Sequence, residues 1–159
     1  MKQNIGRGVL AGCVLLASAG AWAGTTVKFV DPEHFRDVPL SLVERERVLR
    51  DLQAHIEKLG ARLPANQQLT VEVLDVDLAG ITEPASTRPD VRIVRGGADW
   101  PQMHLRYRLE QDGKLIKSGD EQLSDMNYAD HINRYTGEGS LRYEKQMLDD
   151  WFRKTLKVG

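Results

Sequence analysis

The sequence predicts an α+β domain, a mostly antiparallel sheet with two amphipathic helices packed on one face, in the order β-α-β-β-β-β-α. Three observations carry that prediction. Apolar residues recur at three- and four-residue spacing in two separate stretches, one ending near Leu63 and one near Leu156. Between them, Met103, Leu105, Tyr107 and Leu109 alternate with His104, Arg106, Arg108 and Glu110, the period of a strand with one buried face. Asp112-Gly113 then signals a hairpin, with Lys114 to Leu123 as the returning strand. One apolar sheet face and two apolar helix stripes bury their surface together, and 159 residues suit one such domain.

The chain opens with an expected signal peptide, Met1 to Ala23. Lys2 and Arg7 form a short basic region, Val9 to Gly20 an uncharged apolar one, and Ala21-Trp22-Ala23 a small-x-small cleavage pattern, so cleavage is expected before Gly24. The apolar stretch falls short of the about 20 residues a membrane-spanning helix needs. Leu10-Ala11-Gly12-Cys13 matches a lipobox, which would place a lipid on Cys13. Val14-Leu15-Leu16-Ala17 stays apolar beyond it, however, so ordinary cleavage is the expectation and the periplasm the expected compartment.

Thr25 to Val30, β-branched and aromatic, reads as the first strand, ended by Asp31-Pro32-Glu33 because proline cannot donate to a ladder. Ser41 followed by Glu44 has the form of a capping box for the first helix. Val48, Leu49, Leu52, Ile56, Leu59 and Leu63 share one face of it, charged residues take the other, Gly60 is a candidate end and Pro64 the firm stop. Leu69 to Leu78 is a strand whose apolar phase switches from Leu69, Val71 and Val73 to Leu74, Val76 and Leu78. A bulge near Val73 accounts for that switch, as does a central strand covered on both sides. Ala79 to Asp90, with Pro84 and Pro89, reads as a loop. Val91 to Arg95 reads as a strand broken by Gly96-Gly97, and Ser124 to Asp130 as a helical turn. After the Gly137–Gly139 loop, Ser140 is the expected cap of a last helix, with Leu141, Met147, Leu148, Trp151, Phe152 and Leu156 on its apolar side.

Composition excludes several functions. With 22 Lys+Arg against 23 Asp+Glu, the chain lacks the positive excess of a protein that binds nucleic acid through a broad basic face. Its one cysteine lies in the leader, so thiol catalysis, disulfide exchange and Cys-ligated metals are not expected of the mature domain.

Phe29-Val30-Asp31-Pro32-Glu33-His34-Phe35-Arg36-Asp37 resembles the opening motif of the bacterial family called domain of unknown function 3016. So do Asp75-Val76-Asp77-Leu78-Ala79-Gly80 and Asp99-Trp100-Pro101. The resemblance continues through Gly119 to Met126 with Tyr128, and through Arg142-Tyr143-Glu144-Lys145, Met147-Leu148 and Asp150-Trp151-Phe152. It implies an exported single-domain protein of a Gram-negative bacterium, and it brings no activity and no catalytic residues with it.

Four constellations invite chemistry, each with a plainer structural account. Asp75 and Asp77 share a strand face roughly 6–7 Å apart, a spacing that suits a hard divalent cation or an acid–base pair. The plainer account has Val76 and Leu78 facing the core and both aspartates facing water. Trp100, held extended by Pro101, suits sugar stacking or partner anchoring, or simply covers one end of the core. Asp125, Tyr128, Asp130 and His131 form a polar cluster that suits a base or metal site, or a turn whose acids cap backbone amides. On the last helix, Glu144 suits a buried Glu–Lys or Glu–Arg pair, with Arg106 or Arg108 as the arginine, or the helix is simply scaffold. His34, His55 and His104 lack ligand spacing and read as surface or boundary residues. The sequence therefore predicts a non-catalytic binding or accessory module of the cell envelope, with an envelope protein or a small ligand as partner. Asp99, Trp100, Asp125 and Tyr128 are its candidate contacts, and no cofactor is predicted. A divalent-metal enzyme built on Asp75 and Asp77 is the alternative, and a subunit that self-assembles through a sheet edge is a third reading.

Overall fold

The computed structural model describes residues 24–82, 92–94, 98–130, 132–135 and 141–157. The predicted leader with Cys13, Pro84, Pro89, Gly96-Gly97, His131, Gly137–Gly139 and Ser140 lie outside the described residues. The elements are β1 (Gly24–Phe29), α1 (Leu42–Gly60), β2 (Gln67–Asp77), β3 (Ile81–Thr82), β4 (Arg92–Ile93), β5 (Gln102–Gln111), β6 (Lys114–Ser124) and α2 (Arg142–Leu156).

Four strands make the main sheet in the order β1-β2-β5-β6. β2–β5 and β5–β6 are antiparallel, whereas β1 lies parallel to β2, so the sheet is mixed. The parallel pair follows from α1, a crossover helix that brings the chain back in its original direction. Val91 and Arg95 of the expected 91–95 strand lie outside the described residues; Arg92–Ile93 form β4, which among the described residues pairs with β3, a strand from the expected loop, in a separate two-stranded ribbon. Asp112 and Gly113 both take positive φ, the geometry that turns β5 tightly into β6.

The phase change in β2 is a bulge. Val73 pairs with Leu105 and Asp75 with His104, leaving Leu74 without an opposite residue. Leu69, Val71 and Val73 before it, and Val76 and Leu78 after it, are then all buried on one face. Leu105, Tyr107 and Leu109 of β5 complete that face, and Leu52, Ile56, Leu148 and Phe152 from the two helices pack on it in one cluster. The other face carries the charged alternates, including a row of ion pairs from Glu72 through Arg106 to Asp120.

Two local expectations change. Ser41 stands at the N-cap of α1, but its side chain makes no capping hydrogen bond. Leu42 and Val43 are 65% and 75% exposed, so water reaches the amides of that first turn. Glu144 is buried, yet its partners do not include Arg106 or Arg108, whose β5 positions alternate with the buried ones and lie on the outer sheet face.

Candidate functional site

The end of the sheet beyond the β2 bulge gathers most of the singled-out residues. Asp75 Oδ1 accepts hydrogen bonds from the Val76 amide at 3.0 Å and the Arg36 amide at 2.8 Å. That carboxylate thereby caps amides beside the bulge and ties the 35–38 segment alongside it, where Asp37 N–H donates to Val76 O. The Arg36 guanidinium spans both predicted carboxylates, 3.3 Å from Asp75 and 3.4 Å from Asp77. Burial raises the Asp77 pKa; Arg36 opposes that rise, and the charges of Asp37 and Asp75 add to it. Among the described residues, no three or more His, Cys, Asp or Glu side chains group closely enough to hold a metal ion.

One turn of chain is the hub of this end. Ala79 N–H donates to Glu144 Oε1 at 2.7 Å, while Arg92 Nε donates to Ala79 O at 2.8 Å. Arg92 Nη2 also donates to the Leu78 and Gly80 carbonyls and pairs with Asp37. Gly80 N–H donates to Asp99 O at 2.9 Å. Gly80 is required here, because its φ is +74° and a Cβ would stand 2.6 Å from the Ile93 carbonyl oxygen. Glu144 is wholly buried, and its Oε2 has no hydrogen-bond partner among the described residues. Burial pushes its pKa up to about 7 against the Ala79 amide and the attraction of Arg92.

Three of the four predicted contact residues meet beside this hub. Tyr128, buried, donates its hydroxyl to Asp99 at 2.8 Å, and its ring meets Tyr143 edge-on at 4.7 Å. Asp125 closes the turn that carries Tyr128: its side chain accepts from Asn127 N–H, its carbonyl from Tyr128 N–H, and its own amide donates to Pro101 O. Trp100, between Asp99 and Pro101, is partly exposed. The segments that carry the family-like motifs therefore converge. Asp37, Leu78–Gly80, Asp99, Tyr128 and Glu144 come from five of them and adjoin one another at one end of the sheet.

A second constellation escaped the sequence. His55 is 5% exposed, not a surface or boundary residue, because α1 presses it against α2. Its Nε2 lies 3.0 Å from Asp149 Oδ1 and 3.2 Å from Lys145 O. Both partners only accept, so Nε2 carries a proton. Tyr135 donates its hydroxyl to Asp149 Oδ2 at 2.8 Å and meets the His55 ring edge-on. Burial works to raise the Asp149 pKa, but the hydrogen bonds from His55 and Tyr135, with the charges of His55 and Arg134, hold it below the ordinary value. The pair is 94 residues apart in sequence. Its one legible trace is that His55 falls beside Leu52, Ile56 and Leu59 on the buried side of α1.

Among described residues, no helix is long and apolar enough to cross a membrane. The family model described as Protein of unknown function (DUF3016) matches residues 23–154, most of the chain. No curated protein matches it.

Proposed function

The chain belongs to the DUF3016 family, and from that premise we propose that it is an exported accessory domain of the cell envelope that acts by binding. The observation that carries this reading is the convergence at the sheet end, where the family-like segments adjoin one another and a tryptophan stays partly exposed. Asp99, fixed by Tyr128 and by the Gly80 amide, holds the backbone next to Trp100 and so presents that ring from a rigid base. Rigid aromatic residues on a fixed base are what partner-anchoring surfaces use. The alternative, divalent-metal chemistry on Asp75 and Asp77, is weakened because both carboxylates already answer Arg36 and the bulge. Cleavage after Ala23 and residence in the periplasm belong to the same proposal, and the exported protein should begin at Gly24 on N-terminal sequencing.

Thermal unfolding with EDTA, calcium, magnesium, zinc and manganese in turn separates the two readings. A ligand at a hundred times its Kd adds about 2.7 kcal/mol, a shift of several degrees for a domain of this size. The binding reading expects no shift with any ion. It also expects Trp100→Ala to unfold at the parent temperature while losing capture of an envelope component. A shift with one ion that disappears in Asp75→Ala would replace the binding reading with the metal one.

A further inference from the structure

The β6 edge of the sheet is guarded along only part of its length. Among the described residues β6 pairs with β5 alone, so its second side presents unpaired amides and carbonyls. Residues 114–117 carry two devices that blunt such an edge. Lys114 and Lys117 are exposed charges, and a bulge leaves Ile116 without an opposite residue, since Leu109 pairs with Lys117 and Glu110 with Leu115. Residues 118–124 hold no lysine and no proline, and their register with β5 is unbroken. A groove of about 270 Å³ runs beside this open half. Residues 121–125 form one wall, and Met147, Asp150, Trp151, Lys154 and Thr155 of α2 form the other. The volume falls below that of a drug-sized pocket and suits side chains delivered by a strand. We propose that β6 accepts an extended segment of a partner protein as an added strand along 118–124, with alternate side chains entering this groove.

The groove states the chemistry of its occupant. Glu121 and Leu123 stand two residues apart and share the helix-facing side of β6. The Glu121 carboxylate lies between the walls, because its Oε2 accepts from Thr155 Oγ1 of α2 at 3.4 Å. It also accepts from the Tyr107 hydroxyl, whose pKa burial and Glu121 together raise. Both partners are neutral hydroxyls, and among the described residues no cation pairs with Glu121. The neighbouring acids are answered already: Asp150 by Arg153 at 2.7 Å, and Asp120 by Arg106 and His104 on the other sheet face. Beyond Glu121 the groove turns apolar, at Leu123, Met147 and Trp151, each less than a tenth exposed. The segment that fits carries a lysine or arginine for Glu121 and, two residues away, an apolar side chain for Leu123. Leu115 and Lys117 of β6 itself have that spacing. The bulge between them breaks the alternation, however, and Lys117 Nζ is committed to the Thr155 carbonyl, so the occupant is another protein.

The probe is a threonine-rich peptide as long as the open half of β6, with lysine and leucine two residues apart at its centre. Backbone amide resonances of the protein and amide hydrogen exchange are the readouts. Saturable shifts along 118–124 and the facing side of α2 are expected, with slower exchange of the edge amides. Replacing the peptide's lysine by glutamate should weaken binding about tenfold, as attraction becomes repulsion. N-methylating its central amides removes ladder donors while keeping both side chains, and should abolish saturation. Glu121→Gln keeps an acceptor for Tyr107 and Thr155 and should weaken binding about threefold. Lys154→Ala, which removes a cation from the groove wall, should tighten it. Lys28→Ala, on the opposite edge strand, should leave it unchanged. Absence of saturation through the low millimolar range overturns the proposal, as does an N-methylated or glutamate peptide that binds as tightly as its parent. Shifts along β6 that grow with protein concentration alone would make a second copy the occupant, and would overturn it too. The sheet-end reading rests on Trp100 and stands or falls by its own variant.

Discussion

At Glu144 a single carboxyl couples the helix, the hub turn and pH. It is fully buried; one oxygen accepts from the Ala79 N–H and the other has no partner among the described residues. Its pKa of about 7 stands above the 4.5 of a free glutamate, so the folded protein keeps a proton that the unfolded chain releases. The contribution of this group to stability is therefore complete below about 4.5 and is lost as pH rises through about 7. The loss is on the order of 3 kcal/mol. Urea unfolding at pH 5 and pH 8 should find the protein less stable at pH 8, with Glu144→Gln removing most of that difference. A parent protein equally stable at both values would sink the argument. Asp149 acts in the opposite sense, since its lowered pKa adds stability that is lost as pH falls through the folded value. The buried acid was partly legible: Glu144 precedes Leu148 by four residues and so falls on the stripe that Leu148 and Phe152 continue. Its partner was not, because Ala79 is 65 residues distant and offers only a backbone amide.

The packing of elements depends on a close approach in which a side chain is absent by requirement. Gly119 of β6 sits opposite Tyr107 of β5, and a Cβ there would lie 2.6 Å from the tyrosine ring. Tyr107 in turn packs edge-on against Trp151 of α2, at 5.7 Å between ring centroids. Gly119→Ala should therefore displace the ring, cost about 1–3 kcal/mol and change Trp151 fluorescence. An unchanged unfolding midpoint would mean that the strand yields instead. β6 also forms the outer edge of the sheet, with Leu115 and Ile116 each half exposed. Lys114 and Lys117 on the same strand discourage pairing with another edge. Light scattering should find a monomer throughout the micromolar range, and growth in size with concentration would bring self-assembly back. The elements themselves were readable because period two and period 3.6 are local properties. The bulge showed in the phase of six apolar residues, Leu69 to Leu78. The parallel placement of β1 did not show, because alternation says which face is buried and nothing about which strand lies alongside.

Across the whole molecule, the candidate sites were legible in inverse proportion to the sequence distance they span. Asp99, Asp125 and Tyr128 stood out as polar residues in turns, and the structure joins them. Arg92 could not be paired with Asp37 across 55 residues, nor His55 with Asp149 across 94. Such contacts exist only after α1 has folded over the sheet. The mixed sheet also implies a sequence of assembly. The β5–β6 hairpin closes through two residues and needs nothing else in place, whereas β1 can join β2 only after the intervening 19-residue helix has formed and docked. None of the six β1 residues is fully buried; among the described residues the strand pairs with β2 alone, while Val27 and Phe29 pack against the core. β1 is therefore predicted to join the sheet after the β5–β6 hairpin has closed. In native-state hydrogen exchange its amides should open at a lower free energy than those of β5, and a β1 as protected as the sheet centre would contradict this order. The segment that follows the expected cleavage point is thus also the latch of the fold. A chain caught before β1 docks would carry a nearly complete sheet with β2 as a bare edge, available to whatever strand reaches it first.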